Sequence, residues 1–465
     1  MNHEDFRAAG HQLIDQITDY WANIEQRRVS PTKTRETLFA EFADTLSGPA
    51  IGLDAGVSEM PTILNAAMAM SHPLYLGLVN SSPMPAGVLG ELIVSALDNN
   101  GGASHQGPAQ AAAENELIRQ LANRLNYDGH GMLLAGGSYA SLQALQLAKA
   151  HALPEWIEEG PLAIKAQPRI YYSDSVHFSV DRAAQVIGLG KASLAPLPSV
   201  GRGELNPTVL EETIKQDQRA GRRPFAVVAT AGTTGTGAID PLQPLADLCQ
   251  QYDLWFHVDA CYGGAAALLE DLRPRFTGIE RADSLCVDLH KWFFMPLTAG
   301  ILLTRHEALA ERHFGIQASY IPDVGFAEAY RRGIPTSRRG SALAAWFALR
   351  TMGWECVTEA IERNIVLTRR LEQLMGERGF RVMPDGELSI ACARWEPAGF
   401  DADSLDQLQE QISQAVCRAG TAWFATTRHA GQTWLRFNMV NLNTQSHHMD
   451  QLAEAVTSTA RQLAS

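Results

Sequence analysis

Lys291 stands in the run Asp283-Ser-Leu-Cys-Val-Asp288-Leu-His290-Lys291-Trp292, just beyond an apolar stretch with the make-up of a buried strand. Apolar and aromatic neighbours strip water from such a lysine, which disfavours the ammonium and exposes a nucleophilic amine. A free amine condenses with an aldehyde, so the chemistry on offer is a Schiff base with an aldehyde cofactor. Alone, the residue would read as a strand-end lysine reaching for solvent. Asp259 changes that. It closes the run Leu254-Trp-Phe-His257-Val258-Asp259, 32 residues earlier (291 − 259). A buried carboxylate needs a cationic partner. A protonated pyridine nitrogen would be one, and a ring kept cationic accepts electrons from a carbanion. The competing role for Asp259 is to cap the turn at Tyr262-Gly263-Gly264.

Three further segments offer compatible chemistry. In Leu133-Leu-Ala-Gly136-Gly137-Ser138 a strand runs into two glycines and a hydroxyl residue that opens a helix. That geometry presents free N–H groups to a phosphate. His177, in Tyr172-Ser-Asp-Ser-Val-His177-Phe-Ser179, falls between a strand end and a helix start, where its ring could stack on a flat cofactor. Thr234 lies in Thr230-Ala-Gly-Thr-Thr234-Gly-Thr-Gly237, whose hydroxyls either bond a phenolic oxygen or phosphate or serve the turn itself.

The elements that must position these residues alternate. Strands are expected at Gly131–Leu134, Arg169–Tyr172, Phe225–Thr230, Trp255–Val258, Ser284–Val287 and Gly300–Leu303, with helices at Ser138–Ala152, Pro207–Arg219 and Leu242–Gln251 between them. This order predicts an α/β fold, a mostly parallel sheet flanked by helices, whose ligands bind beyond the carboxyl ends of the strands. The candidate residues fall on those ends. An amphipathic helix over residues 5–27 is too short to bury its own apolar stripe and should pack on the body or on a second subunit. A long helix from Ala342 to about Gly379 leads to strands near Leu388–Ala393 and Trp434–Val440 and helices at Ser404–Arg418 and His448–Leu463. The expected division is an N-terminal helical arm (1–85), a large cofactor-binding domain (86–341) and a smaller α+β C-terminal domain (342–465).

Composition narrows the class. With 465 residues, 46% of them hydrophobic, the chain can bury a large core. A net charge of −13 argues against nucleic acid or anionic membranes as partners. Six scattered cysteines without a CxxC pair argue against a disulfide framework or a zinc module, and no metal is expected. No signal peptide or bilayer-spanning run is visible, so the expected location is the cytoplasm.

Taken in order, these segments resemble the group II decarboxylases dependent on pyridoxal 5′-phosphate (PLP), the family of the aromatic L-amino acid and glutamate decarboxylases. The resemblance begins at Phe6-Arg7-x-x-Gly10 and Glu25-x-Arg27-Arg28-Val29-x-Pro31, continues through His72-Pro-x-Tyr75, His257-Val-Asp-Ala and His290-Lys291-Trp292, and ends near Leu435-Arg436. It implies the PLP-dependent fold type I, similar to aspartate aminotransferase, and a homodimer with active sites at the subunit interface. It implies that Lys291 is the Schiff-base lysine and Asp259 the partner of the pyridine nitrogen. His177 matches the stacked imidazole; Gly137, Ser138 and His290 match the phosphate neighbourhood; and Thr234 matches a hydroxyl near the ring oxygen. Tyr320, in Ala-Ser-Tyr-Ile-Pro-Asp, resembles the mobile-loop tyrosine of the aromatic decarboxylases, implied as proton donor to Cα with His177 as relay.

The implied reaction removes CO2 from an amino acid, aromatic by preference, and releases a primary amine. Alternatives are an oxidative outcome yielding an aldehyde, an acidic or diamino substrate (glutamate, diaminobutyrate), and a catalytically silent regulatory homologue. Phenylalanine at the position of Tyr320 accompanies aldehyde synthases in the aromatic branch, so the tyrosine favours amine release. The sequence departs from the family pattern at Asp288, where aromatic decarboxylases usually carry asparagine and other relatives carry Asp, at Cys261 and Tyr139, and over Ala109–Leu117 on the substrate side. Arg436 matches an arginine that holds the distal carboxylate in glutamate decarboxylases, although a structural role serves it equally.

Overall fold

The β-branched runs between residues 130 and 304 become seven strands of one sheet in the computed structural model, which describes residues 2–316, 319 and 328–465. They are β1 (His130–Leu134), β2 (Pro168–Ser173), β3 (Leu194–Leu197), β4 (Arg223–Thr230), β5 (Trp255–Asp259), β6 (Ser284–Asp288) and β7 (Gly300–Thr304). Their order is β1-β7-β6-β5-β4-β2-β3. From β3 to β6 every neighbouring pair is parallel. Only β7 runs the other way, between β1 and β6. The strands β5, β6 and β7 are buried at every residue, the signature of a sheet covered on both faces. The helix Gly137–Ala152 supplies one cover, packing Leu145, Leu147 and Ala148 with Ile170, Tyr172, Phe225 and Val228.

Contacts divide the chain into two units. The first, Val79–Thr368 with Met383–Ala391, holds the large sheet. The second comprises Met1–Leu78, Arg369–Val382 and Cys392–Ser465. A four-stranded sheet of order β8-β9-β11-β10 is formed by β8 (Arg381–Val382), β9 (Ile390–Arg394), β10 (Ala425–His429) and β11 (Gln432–Asn438). The second unit also carries the helices Ala402–Ala419 and Ser446–Ala464.

Several short strands escaped the sequence, β3, β8 and β10 among them. Pro196 sits inside β3, and proline within a run argues against a strand. It is tolerated here because β3 is an edge strand with β2 as its only neighbour. Strand β10 reads Ala-Thr-Thr-Arg-His and lacks an apolar alternation to betray it. The long helix expected from Ala342 spans Ser341–Glu377 and breaks at Gly353, whose φ of 81° no regular helix holds.

The N-terminal helix His3–Ala22 buries only Ala9, while Phe6 and Ile14 stay 59% and 41% exposed. Leu13, Ile17, Tyr20 and Trp21 are half-buried and Ile24 is buried, so the apolar stripe is covered only in part among the described residues. Among the described residues, no helix is long and apolar enough to cross a membrane.

Candidate active site

The carboxyl ends of the parallel strands converge on a cavity of about 210 Å³. Lys291, Asp259, His177, His290, Thr234, Gly137 and Ser138 all line it. Residues spread over more than a third of the chain thus meet in one place. Tyr320 lies outside the described residues.

The β1-to-helix turn builds one wall. Gly136 has φ 93°, a conformation that favours glycine. At Gly137 a Cβ would stand 2.4 Å from Cys261 Sγ and 2.9 Å from Asp288 Oδ2, so only glycine lets this backbone come so close. The amides of Gly137 and Ser138 open a helix and have no intrahelical acceptor, which suits an anion. His290 stands against this turn, its Cε1 3.3 Å from where a Cβ on Gly136 would be, and its Nδ1 lies 2.9 Å from the Ala299 carbonyl and 3.2 Å from its amide, which fixes the ring.

The Thr/Gly turn after β4 divides its work. Thr233 and Thr236 serve the fold: their hydroxyls meet at 2.9 Å, and Thr233 accepts the Ala238 amide at 3.0 Å. Thr234 faces the cavity instead. Asp240 accepts the Thr230 amide at 2.7 Å and steadies the end of β4.

Asp259 takes the capping role and also keeps its carboxyl at the cavity. Its Oδ1 accepts the Cys261 amide at 3.1 Å, capping the turn, while the carboxyl also lines the cavity. Burial alone would raise its pKa, but the Lys291 charge and the Cys261 amide outweigh burial and hold it below the usual carboxylate range. It is therefore an anion, as a pyridinium partner must be. Beneath it His257 is fully buried, with Nδ1 placed to donate to the Ser284 carbonyl at 3.2 Å, and desolvation pushes it down to about 4. That neighbour is neutral. The Cys261 thiol touches Cys286 Sγ at 3.3 Å, and this contact together with burial raises it well above an ordinary thiol.

His177 Nδ1 lies 2.8 Å from Ser179 Oγ and accepts the Ser179 amide at 3.3 Å. The proton of the neutral ring therefore sits on Nε2. Burial, with the Lys291 charge acting in the same sense, lowers its pKa against the pull of Asp259. A neutral ring of this kind can stack on a flat ligand and pass a proton.

One electrostatic expectation is overturned. Burial does disfavour the Lys291 ammonium, but the carboxylates of Asp288 and Asp259 more than compensate, and the pKa is raised. The physical reason is a contact invisible in the strand pattern: Lys291 Nζ lies 3.0 Å from Asp288 Oδ2. The sequence marked Asp288 only as a departure from the family pattern and did not reveal this pairing. It also passed over Ser179, Tyr262 and Thr298, which line the cavity. The spacing Asp288-x-x-Lys291 at a strand end was the available signal.

These residues fit PLP. Thr230 Oγ1 and Asp288 Oδ1 are buried polar atoms without a hydrogen-bond partner among the described residues, and both belong to cavity-lining side chains. The glycine cradle, the lysine amine and the buried acid match the phosphate, aldehyde and ring nitrogen of that cofactor.

Comparison with known proteins agrees. Residues 58–395 match the pyridoxal-dependent decarboxylase conserved domain. The chain is 29% identical over 477 residues to an aromatic-L-amino-acid decarboxylase of Bacillus atrophaeus, covering 99% of this chain and 96% of that protein. It is 30% identical over 386 residues to a cysteine sulfinic acid decarboxylase of Mus musculus, covering 79% and 78% of the two chains. The crystal structure of Oryza sativa TDC with PLP and tryptamine superposes with a TM-score of 0.94 at 25% identity, over 100% of this chain and 99% of that one. The family model alone spans well over half of the sequence, and with the cavity chemistry it leads to one conclusion: the chain belongs to the pyridoxal-dependent decarboxylases and is a PLP-dependent carboxy-lyase acting on an amino acid.

Proposed function

We propose that the enzyme decarboxylates an aromatic L-amino acid to the primary amine, and that it works in the cytoplasm as a homodimer. The observation that carries the substrate class is the cation inventory. Among the described residues lining the cavity, Lys291 is the sole lysine or arginine. Arg436, the candidate for a distal carboxylate, is 3% exposed and donates to the Leu78 carbonyl at 3.0 Å. Arg436 does not line this cavity, which leaves an acidic substrate without a lysine or arginine partner among the described lining residues apart from Lys291. The near full-length similarity to an aromatic decarboxylase points the same way. The exposed Phe6 and Ile14 on the N-terminal helix support the dimer, since a second subunit would cover them.

In this reading Lys291 would hold the cofactor through its amine. Bound PLP supplies an electron-accepting ring for the pair left when Cα loses CO2. Asp259, ionised and buried, keeps a proton on the ring nitrogen. The Gly137 and Ser138 amides and His290 hold the phosphate, and Thr234 reaches the ring oxygen. His177 covers the ring face and relays a proton to Tyr320, the donor to Cα, whose part rests on the sequence alone.

The test is a product screen of the purified holoenzyme against the common amino acids, with glutamate, diaminobutyrate and cysteine sulfinate included. Expected are CO2 and the amine from aromatic substrates, without peroxide. Release of CO2 from acidic or diamino acids alone would overturn the substrate class. Aldehyde with peroxide would overturn the reaction type.

A further inference from the structure

Asp288 ends β6 and is 2% exposed. Its Oδ2 contacts Lys291 Nζ at 3.0 Å and stands 3.8 Å from His290 Nε2. Its Oδ1 is buried with no hydrogen-bond partner among the described residues and packs where a Cβ on Gly300 would come within 2.5 Å.

A buried carboxylate is costly unless paired. Here the available cation is the nitrogen that takes up the cofactor. The groups facing Lys291 are Asp288 and His290 from the end of β6, Asp259 and Cys261 from the end of β5, and His177 from the segment after β2. Of the two carboxylates, Asp259 is claimed by the ring nitrogen. Asp288 is the one in contact with Nζ.

We propose that Asp288 is a positioning residue whose carboxylate holds positive charge on the Lys291 nitrogen, first in the free ammonium and then in the nitrogen joined to the cofactor. A protonated C=N is the electrophile that a substrate amine attacks, so this charge keeps the resting enzyme receptive across the neutral pH range. The raised pKa of Lys291 agrees with this role.

The inference rests on Lys291 as the attachment point, and the test separates the two claims. The visible absorbance of the wild-type holoenzyme is followed against pH, beside Lys291→Ala and Asp288→Asn. Removing a contacting anion makes the proton easier to lose, so the band of the protonated linkage should vanish at a pH lower by roughly one to three units in the Asn variant. A band present in the wild type with an unmoved midpoint in Asp288→Asn overturns the role of Asp288 alone. A band that survives Lys291→Ala overturns the attachment point, and both claims with it. If the Asn variant takes up no cofactor, the cofactor-free proteins answer instead, through the pH at which Lys291 is half acetylated by acetic anhydride in peptide maps. That pH should fall in the variant, and an unchanged value overturns the proposal.

Discussion

Two buried ion pairs in the same unit are built on opposite plans. Glu114 and Arg338, 9% and 10% exposed, share a two-pronged contact at 2.8 and 2.7 Å. Glu114 also accepts the Leu133 amide at 2.8 Å, and Arg338 donates to the Leu133 carbonyl at 2.7 Å. Both carboxylate oxygens are used, and the network clamps β1 just before the glycine turn. Asp288 and Lys291 share one contact and leave a carboxylate oxygen without a partner. Arg338 keeps a buried Nε without a partner among the described residues, but a carboxylate with both oxygens bonded is held rigidly, whereas one with a bare buried oxygen is costly until something completes it. The first pair holds the frame of the site, and the second holds reactive charge for a ligand.

Breaking each pair should therefore fail differently. Lys291→Ala should abolish turnover and the cofactor's visible band while the protein still folds, checked by activity, absorbance and circular dichroism; retained turnover would break the comparison outright. Asp259→Ala should keep the fold and raise the barrier by more than ~3 kcal/mol, seen as a fall in kcat of over about a hundredfold. Glu114→Ala should do the reverse, costing about 3–5 kcal/mol of stability by leaving Arg338 buried and unpaired, which a chemical denaturation curve would show. At the small end, Glu116→Ala removes a solvent-exposed partner of Arg119 and should leave the melting temperature unchanged.

The same contrast explains what the sequence could reveal. Six of the seven strands of the large sheet were legible because apolar runs of fixed length have few alternatives in an alternating chain. The helix Pro207–Arg219 was legible to the residue, since Asn206 caps it and Pro207 starts it. Lys291, Asp259 and His177 could be found because each sits at a strand end or the turn after it, where open parallel sheets place their ligands. Side-chain pairing was not legible. Glu114 and Arg338 lie 224 residues apart, and nothing local links them. Asp288 lies only three residues from Lys291, yet the sign of the lysine's pKa shift depends on where its carboxylate points. Neither a strand pattern nor a family resemblance fixes that direction.

The most direct test of the account is the site of attachment. The holoenzyme, reduced with borohydride and digested, should yield one peptide carrying the reduced pyridoxyl group, with the label on Lys291. A label on any other lysine, or none at all, would contradict the assignment of this cavity as the catalytic centre.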